Sequence, residues 1–188
     1  MLNYKAIVNN TRDVHNIIRN GSYYYEPLSN SINSGLKTLT LKKGHCLEWA
    51  FATGLLMEHL NYPLEILAMV YTNNDKKISR NIPKNGIHFI NPYQTLEGFF
   101  AIGKSRVSEL GERIVAYKDI DSLIESYRTS FVNEGLTLVH SFLIMEDDLL
   151  DYDWRYSELD MGSFGLTNHL KSIQRENYHS FLRKKSKQ

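Results

Sequence analysis

Apolar residues are most densely placed between Leu47 and Leu60, where they leave almost no polar stripe. From Cys46 to Gly54 the residues are reasonable helix formers, and the segment 42–44 ends the preceding element. This pattern predicts a helix that begins at Cys46 and is buried on nearly all sides. Cys46 is the only cysteine of the chain. In the first turn of a helix, the unpaired N–H groups and the positive end of the helix dipole favour a thiolate over a thiol. The alternative is that Cys46 is a small buried hydrophobic side chain.

Apolar runs after this helix predict strands. Residues 64–72 are mostly apolar, as is typical of a central strand. Residues 87–94 and 99–105 flank a turn at 95–98, and together they predict a β-hairpin. Residues 36–41, before the cysteine, fit either a short strand or a further turn. We therefore expect an α+β fold in which the cysteine helix packs on an antiparallel sheet containing these strands.

The remaining segments predict further helices and two further strands. Apolar residues recur at helical spacing in 11–19 and 119–131, and 167–182 is expected to form a terminal helix. Residues 113–117 predict a short edge strand, and 136–145 predict a further strand. These elements surround the cysteine helix in sequence and are long enough to build one core.

The length of 188 residues predicts one domain over residues 1–182, followed by a basic tail at 183–188. The net charge of +1 gives no overall field that would attract nucleic acid. A single cysteine excludes an intramolecular disulfide and fits a reducing compartment. The first residues lack the apolar region of a signal peptide, and no apolar run could span a bilayer. We therefore expect a cytoplasmic protein with no membrane partner.

Two charged segments are candidates for binding. The basic tail could contact phosphates, although such tails are more often frayed ends, and a nucleic-acid partner is not expected. An acidic cluster could hold Ca²⁺ or Mg²⁺, but its spacing is not that of an EF-hand loop, so a solvated loop is favoured. No metal site and no cofactor are therefore predicted. The acidic cluster consists of Glu146, Asp147, Asp148, Asp151 and Asp153.

Acyl transfer by a thiol requires a nucleophile, a base that takes its proton, and donors for the oxyanion. Cys46 is the candidate nucleophile, and seven histidines compete for the role of base. His45 is adjacent in sequence and is expected to point away from the thiol. His59 lies at the far end of the helix, about 20 Å away at 1.5 Å per residue. His88 stands out because a helix packed on a hairpin can bring it to Cys46, whereas the other histidines have no evident tie to the cysteine.

The segment Gly44-His45-Cys46-Leu47-Glu48, its apolar helix and the turn at 61–63 resemble the transglutaminase-like (papain-like cysteine) superfamily. His88 at the start of a hairpin is similar to the histidine strand of that superfamily. The run Ala101-Ile102-Gly103-Lys104-Ser105 resembles an uncharacterised bacterial branch of it. The resemblance covers residues 40–145. It implies a cysteine nucleophile at Cys46 and a histidine base at His88.

The chain departs from the superfamily at the residue that orients the histidine. The superfamily places an aspartate on the third strand, and the aligned position here is Gly103. A two-residue hairpin turn pairs Thr95 with Gly98, and by that register Ser105 lies opposite His88. Asn91 is an odd number of positions from His88 and faces the other side of the strand. We therefore predict a Cys46–His88 dyad with Ser105 as the residue that orients the imidazole.

Two classes of function follow. The first is a cysteine-nucleophile acyl-transfer enzyme, such as a protease, amidase, deamidase or transglutaminase, that acts on a protein or peptide-like amide. The second is a non-catalytic transglutaminase-like fold that acts as a binding or structural protein, which the missing aspartate favours. The sequence leaves open the substrate, the choice between hydrolysis and transfer, and the oligomeric state.

Overall fold

The structure is a computed structural model that describes residues 6–24, 31–73, 85–149, 153–156 and 161–162. Its core is a five-stranded antiparallel sheet in which the strands follow the order 113–117, 98–102, 85–95, 65–73 and 136–145, with helix 46–59 on one face and helix 120–133 on the other. Two short pairs lie outside this sheet: 22–23 is parallel to 43–44, and 31–32 is antiparallel to 161–162. The helices are α1 Thr11–Asn20, α2 Gly35–Leu41, α3 Cys46–His59 and α4 Ile120–Asn133. The strands are β1 Ser22–Tyr23, β2 Ser31–Ile32, β3 Lys43–Gly44, β4 Glu65–Asn73, β5 Asn85–Thr95, β6 Gly98–Ile102, β7 Arg113–Tyr117, β8 Leu136–Met145 and β9 Met161–Gly162.

The α+β class and the packing of the cysteine helix on an antiparallel sheet are confirmed. Helix α3 begins at Cys46 as predicted, and every residue from Leu47 to Met57 is buried. A helix that is apolar all round must be covered on all sides. The sheet covers one side of it and helices α1 and α2 cover others. In the described part of the chain, no helix has both the length and the apolar character needed to cross a bilayer.

The β5–β6 hairpin has the predicted register. Thr95 pairs with Gly98 across a two-residue turn, and Gly98 has a φ of +135°, which only glycine adopts without strain. The pairing ends at Asn91 and Ile102, so β6 is shorter than the predicted strand 99–105. The predicted edge strand 113–117 and strand 136–145 are also confirmed as β7 and β8.

Helix α2 includes residues 36–41, for which the sequence allowed either a short strand or a further turn. Its start is stabilised by Ser34, whose side chain accepts a hydrogen bond from the Lys37 amide at 3.3 Å. The segment is helical because it packs closely on α3, and the residue that permits this is Gly35. A Cβ added there would lie 2.6 Å from the Phe51 carbonyl oxygen. The predicted terminal helix 167–182 and the tail 183–188 lie outside the described residues.

Replacement of Gly35 by alanine should therefore destabilise the fold. We expect Gly35→Ala to lower the free energy of unfolding by roughly 1–3 kcal/mol, since the clashing atom belongs to the α3 backbone and α2 must move away. Urea denaturation measures the change. Thr40→Ala, on an exposed position of the same helix, is the control and should change stability by no more than about 0.5 kcal/mol. Equal effects of the two substitutions would contradict the close approach.

Candidate active site around Cys46

Cys46 is the first residue of α3 and is half-buried. His45 before it is extended, with φ −88° and ψ 179°, and its carbonyl oxygen accepts the first helical hydrogen bond from Trp49 at 2.9 Å. The Cys46 Sγ lies 3.9 Å from the carbonyl oxygen of Ile87, in strand β5. The thiol therefore packs against the main chain of the strand that carries His88.

Burial raises the pKa of the Cys46 thiol above its ordinary value. Hydrogen-bond donors near the sulfur oppose this effect: they include the N–H of Phe89, the N–H groups of the helix terminus and the side chain of Tyr23. These donors do not offset the loss of hydration, so the protonated thiol is the favoured form at neutral pH. The pKa of the thiol is thus raised, whereas the N-terminus of a helix alone would lower it.

His88 is buried on the other face of the sheet. It pairs with Met69 on β4, and Met69 belongs to the apolar layer beneath α4. The next residue, Phe89, packs in the layer beneath α3 together with Cys46. Because neighbouring residues of a strand point to opposite faces, the His88 imidazole points away from the thiol. The structure thus does not bring together the two side chains of the predicted dyad.

The imidazole of His88 is bonded to the main chain. Its Nε2 lies 2.6 Å from the carbonyl oxygen of Leu110, and because a carbonyl only accepts, Nε2 carries the proton. The pKa of His88 is lowered to about 4, mainly by burial; the hydrogen bond to the Leu110 carbonyl opposes the shift, and the charge of Arg113 adds to it. His88 is therefore neutral at physiological pH, in an apolar layer. Leu110 lies in the 3-10 turn Ser108–Leu110, and no pattern in the sequence indicates that its carbonyl oxygen would meet His88.

Ser105 does not lie opposite His88, because β6 ends at Ile102 and the chain turns away. The Ser105 Oγ accepts a hydrogen bond from the Val107 amide at 3.1 Å. Gly103, aligned with the aspartate of the superfamily, packs on Ile90, and an added Cβ would lie 2.6 Å from the Ile90 Cγ2. Any side chain at position 103 would require Ile90 to move.

A buried carboxylate next to Cys46 is the feature that sequence analysis missed. Glu48, in the first turn of α3, is fully buried. It accepts hydrogen bonds from the amide and the Nδ2 of Asn33, both at 2.7 Å, and from the amide of His45 at 3.0 Å. The Tyr24 hydroxyl lies 3.5 Å from it. A glutamate three residues after the N-cap is a capping-box position, so its place in the helix could have been found from the sequence.

His45 shares this cluster and is also buried in part. Its Nε2 lies 3.8 Å from Glu48. Burial lowers the pKa of His45, while the charge of Glu48 raises it. The cluster fixes the start of α3 by satisfying backbone donors that helix ends leave unpaired.

The acidic segment after β8 forms local contacts. Glu146 forms an ion pair with Arg155, and Asp148 accepts a hydrogen bond from the Met145 amide at 2.8 Å. Within the described ranges, no group of three or more His, Cys, Asp and Glu side chains is placed to hold a metal ion. Asp151 lies outside those ranges.

No family model matches the chain, and no curated protein matches it. One similar solved structure is the calcium-bound LapG of Legionella pneumophila, with 13% identity and a TM-score of 0.39; the match covers 85% of this chain and 76% of that one. Another is a Cytophaga hutchinsonii protein described as a candidate cysteine protease, with 17% identity and a TM-score of 0.37; the match covers 80% of this chain. This chain spans 50% of the length of that protein. The α+β assignment therefore rests on the helices and the sheet of the chain itself.

Proposed function

We propose that this chain is a non-catalytic binding protein in which the cysteine-headed helix is a structural element. The observation that carries this proposal is the position of His88 on the sheet face opposite to Cys46. Acyl transfer by a thiol requires a base within hydrogen-bond reach of the sulfur. His88 instead donates to the carbonyl oxygen of Leu110, and its lowered pKa makes it a poor proton acceptor at neutral pH.

The environment of Cys46 supports the same proposal. The thiol has a raised pKa, and the polar groups nearest to it in sequence serve the fold. The Glu48 carboxylate is engaged by three hydrogen bonds from Asn33 and His45. A carboxylate held in this way stabilises the helix terminus and has little freedom to act on a substrate.

The second candidate is a cysteine acyl-transfer enzyme with Cys46 as nucleophile, His88 as base and Ser105 as orienting residue, acting on a peptide-like amide. The observation in its favour is that the Phe89 N–H and the Tyr23 side chain interact with the sulfur and would stabilise a thiolate. This function requires β5 to shift by one residue, because only then does His88 face α3. Such a shift would also move Phe89 and Ile90 out of their apolar layers.

Alkylation by iodoacetamide distinguishes the two candidates. For the binding protein, Cys46 in the folded chain should react more slowly at pH 7 than the same cysteine in the chain unfolded by urea, since the thiolate fraction falls about tenfold for each unit by which the pKa is raised. The rate should rise with pH and show no plateau below pH 8. The rate of labelling is followed by mass spectrometry between pH 5 and 10.

Two variants sharpen this test. Ser105→Ala should leave the rate of alkylation unchanged, because Ser105 bonds Val107. His88→Gln should also leave it unchanged in protein that is shown to be folded. A folded-state rate above that of the unfolded chain, with a plateau near pH 6 that His88→Gln removes, would replace the binding proposal with the enzyme.

A further inference from the structure

A cavity of about 700 Å³ lies between helix α1 and the β5–β6 hairpin. Its volume is within the range of small-molecule sites. The cavity is separate from the cysteine. Its wall includes Tyr93 of β5, whereas the Cys46 thiol contacts Ile87 of the same strand, and these two residues are roughly 20 Å apart at 3.3 Å per residue. The residues that matter for recognition are Arg12, His15, Arg19, Tyr93, Leu96 and Phe100.

The floor of this cavity is aromatic and rigid. Tyr93 stacks on Phe100 with ring centroids 5.4 Å apart and an interplanar angle of 17°. The Tyr93 hydroxyl lies 3.0 Å from His15 Nε2, and His15 Nδ1 lies 2.6 Å from a carboxylate oxygen of Glu112. His15 and Tyr93 are both buried. This polar chain holds the buried phenol in place, and the stacking holds Phe100, whose partly exposed ring can contact a ligand.

The rim on the side of α1 is cationic. Arg12 and Arg19 are both exposed on the helix face that lines the cavity. Glu112 bonds Arg19 at 2.8 Å as well as His15, so its charge is shared between two partners. Among the described residues, no ion pair involves Arg12. Glu97 is the one lining carboxylate in the described ranges, and it is exposed at the tip of the hairpin, where water screens it.

The rim on the side of the hairpin is apolar. Leu96 is fully exposed at the tip of the turn, and Ile114 on β7, which also lines the cavity, is 63% exposed. An exposed leucine on its own needs no explanation. Two such side chains over an aromatic floor, opposite an arginine, form a surface that is apolar on one side and cationic on the other.

We propose that this cavity binds a small aromatic carboxylate, with its ring against the partly exposed Phe100 and its carboxylate on Arg12. Arginine recognises carboxylates through paired N–H donors, and the Phe100 ring can pack against a planar apolar body. This assignment rests on the proposed function, for which it supplies the class of ligand. Its test does not involve Cys46, so the two can fail separately.

Titration with benzoate, followed by the backbone amide NMR shifts of the full chain, tests the assignment. We expect benzoate to shift amides of α1 and the β5–β6 hairpin, with saturation by about 20 mM if the Kd is on the order of 1 mM. Benzamide, which has the same shape without the charge, should bind at least about tenfold more weakly. Arg12→Gln should weaken benzoate binding by about tenfold, and Leu96→Ser should weaken it by a smaller factor.

The matched control is Arg128→Gln, an exposed arginine on α4 that pairs with Glu125, which should leave benzoate binding unchanged. Three results would each overturn the assignment: equal binding of benzoate and benzamide, shifts confined to other elements, or no amide shifts up to about 20 mM benzoate. Absence of benzoate binding together with slow Cys46 alkylation would remove this ligand class and leave the binding proposal standing. Benzoate binding together with fast, His88-dependent alkylation would keep the cavity site and overturn the non-catalytic proposal.

Discussion

Glu48→Ala is expected to lower the free energy of unfolding by about 3–5 kcal/mol. The substitution removes the acceptor of three hydrogen bonds from Asn33 and His45, and buried donors left without a partner carry their full desolvation cost. It also removes the link between the start of α3 and the segment before α2. Thermal and urea unfolding measure the loss.

Two further variants separate this effect from a general effect of charge removal. Glu58→Ala removes an exposed glutamate of the same helix that pairs with Arg155, and it should cost no more than about 1 kcal/mol. Glu48→Gln keeps one acceptor oxygen and should fall between the two alanine variants. If Glu48→Ala and Glu58→Ala have the same small effect, the buried cluster does not stabilise the helix terminus.

The second large effect is expected from acidification. The pKa of His88 is lowered to about 4 in the fold, against about 6.5 in an unfolded chain. Below pH 6.5 the unfolded chain binds a proton that the folded chain does not, so stability is lost as pH falls from about 6.5 to about 4. The loss reaches about 3 kcal/mol, at 1.36 kcal/mol per pKa unit. Urea denaturation at a series of pH values measures it.

The contribution of His88 is isolated by comparison with a variant. His45 and His140 also have pKa values lowered by burial and titrate in the same direction. His88→Gln keeps a donor for the Leu110 carbonyl without a titrating group, so the difference in stability between wild type and variant should shrink as pH falls. A difference that is constant between pH 7 and pH 4 would mean that His88 is solvated or paired with an acid.

These two effects bear on function as well as on stability. Both Glu48 and His88 are residue types that serve in catalysis elsewhere, yet each is bonded to groups that hold the fold: Glu48 to Asn33 and His45, and His88 to Leu110. If both predictions hold, the contribution of Glu48 and His88 to stability accounts for their burial without a catalytic role. The cavity beside α1 is then the stronger candidate for ligand binding.

The sequence by itself determined the local features of this fold. Helix α3 could be predicted because its residues are apolar on all sides, so its burial does not depend on which elements surround it. The register of the β5–β6 hairpin followed from a two-residue turn, which pairs Thr95 with Gly98 in any context. The opposite orientation of His88 and Asn91 followed from the two-residue period of a strand.

Only the tertiary structure decided which of these residues faces the cysteine. A period of two fixes that His88 and Asn91 point to different faces, but the choice of face depends on the pairing of β5 with β4, which sets Met69 opposite His88. Residue Leu110, which binds the imidazole, comes from a turn whose position depends on where β6 ends. Contacts between segments distant in sequence have no local pattern, because their energy comes from packing that exists only once the sheet has formed.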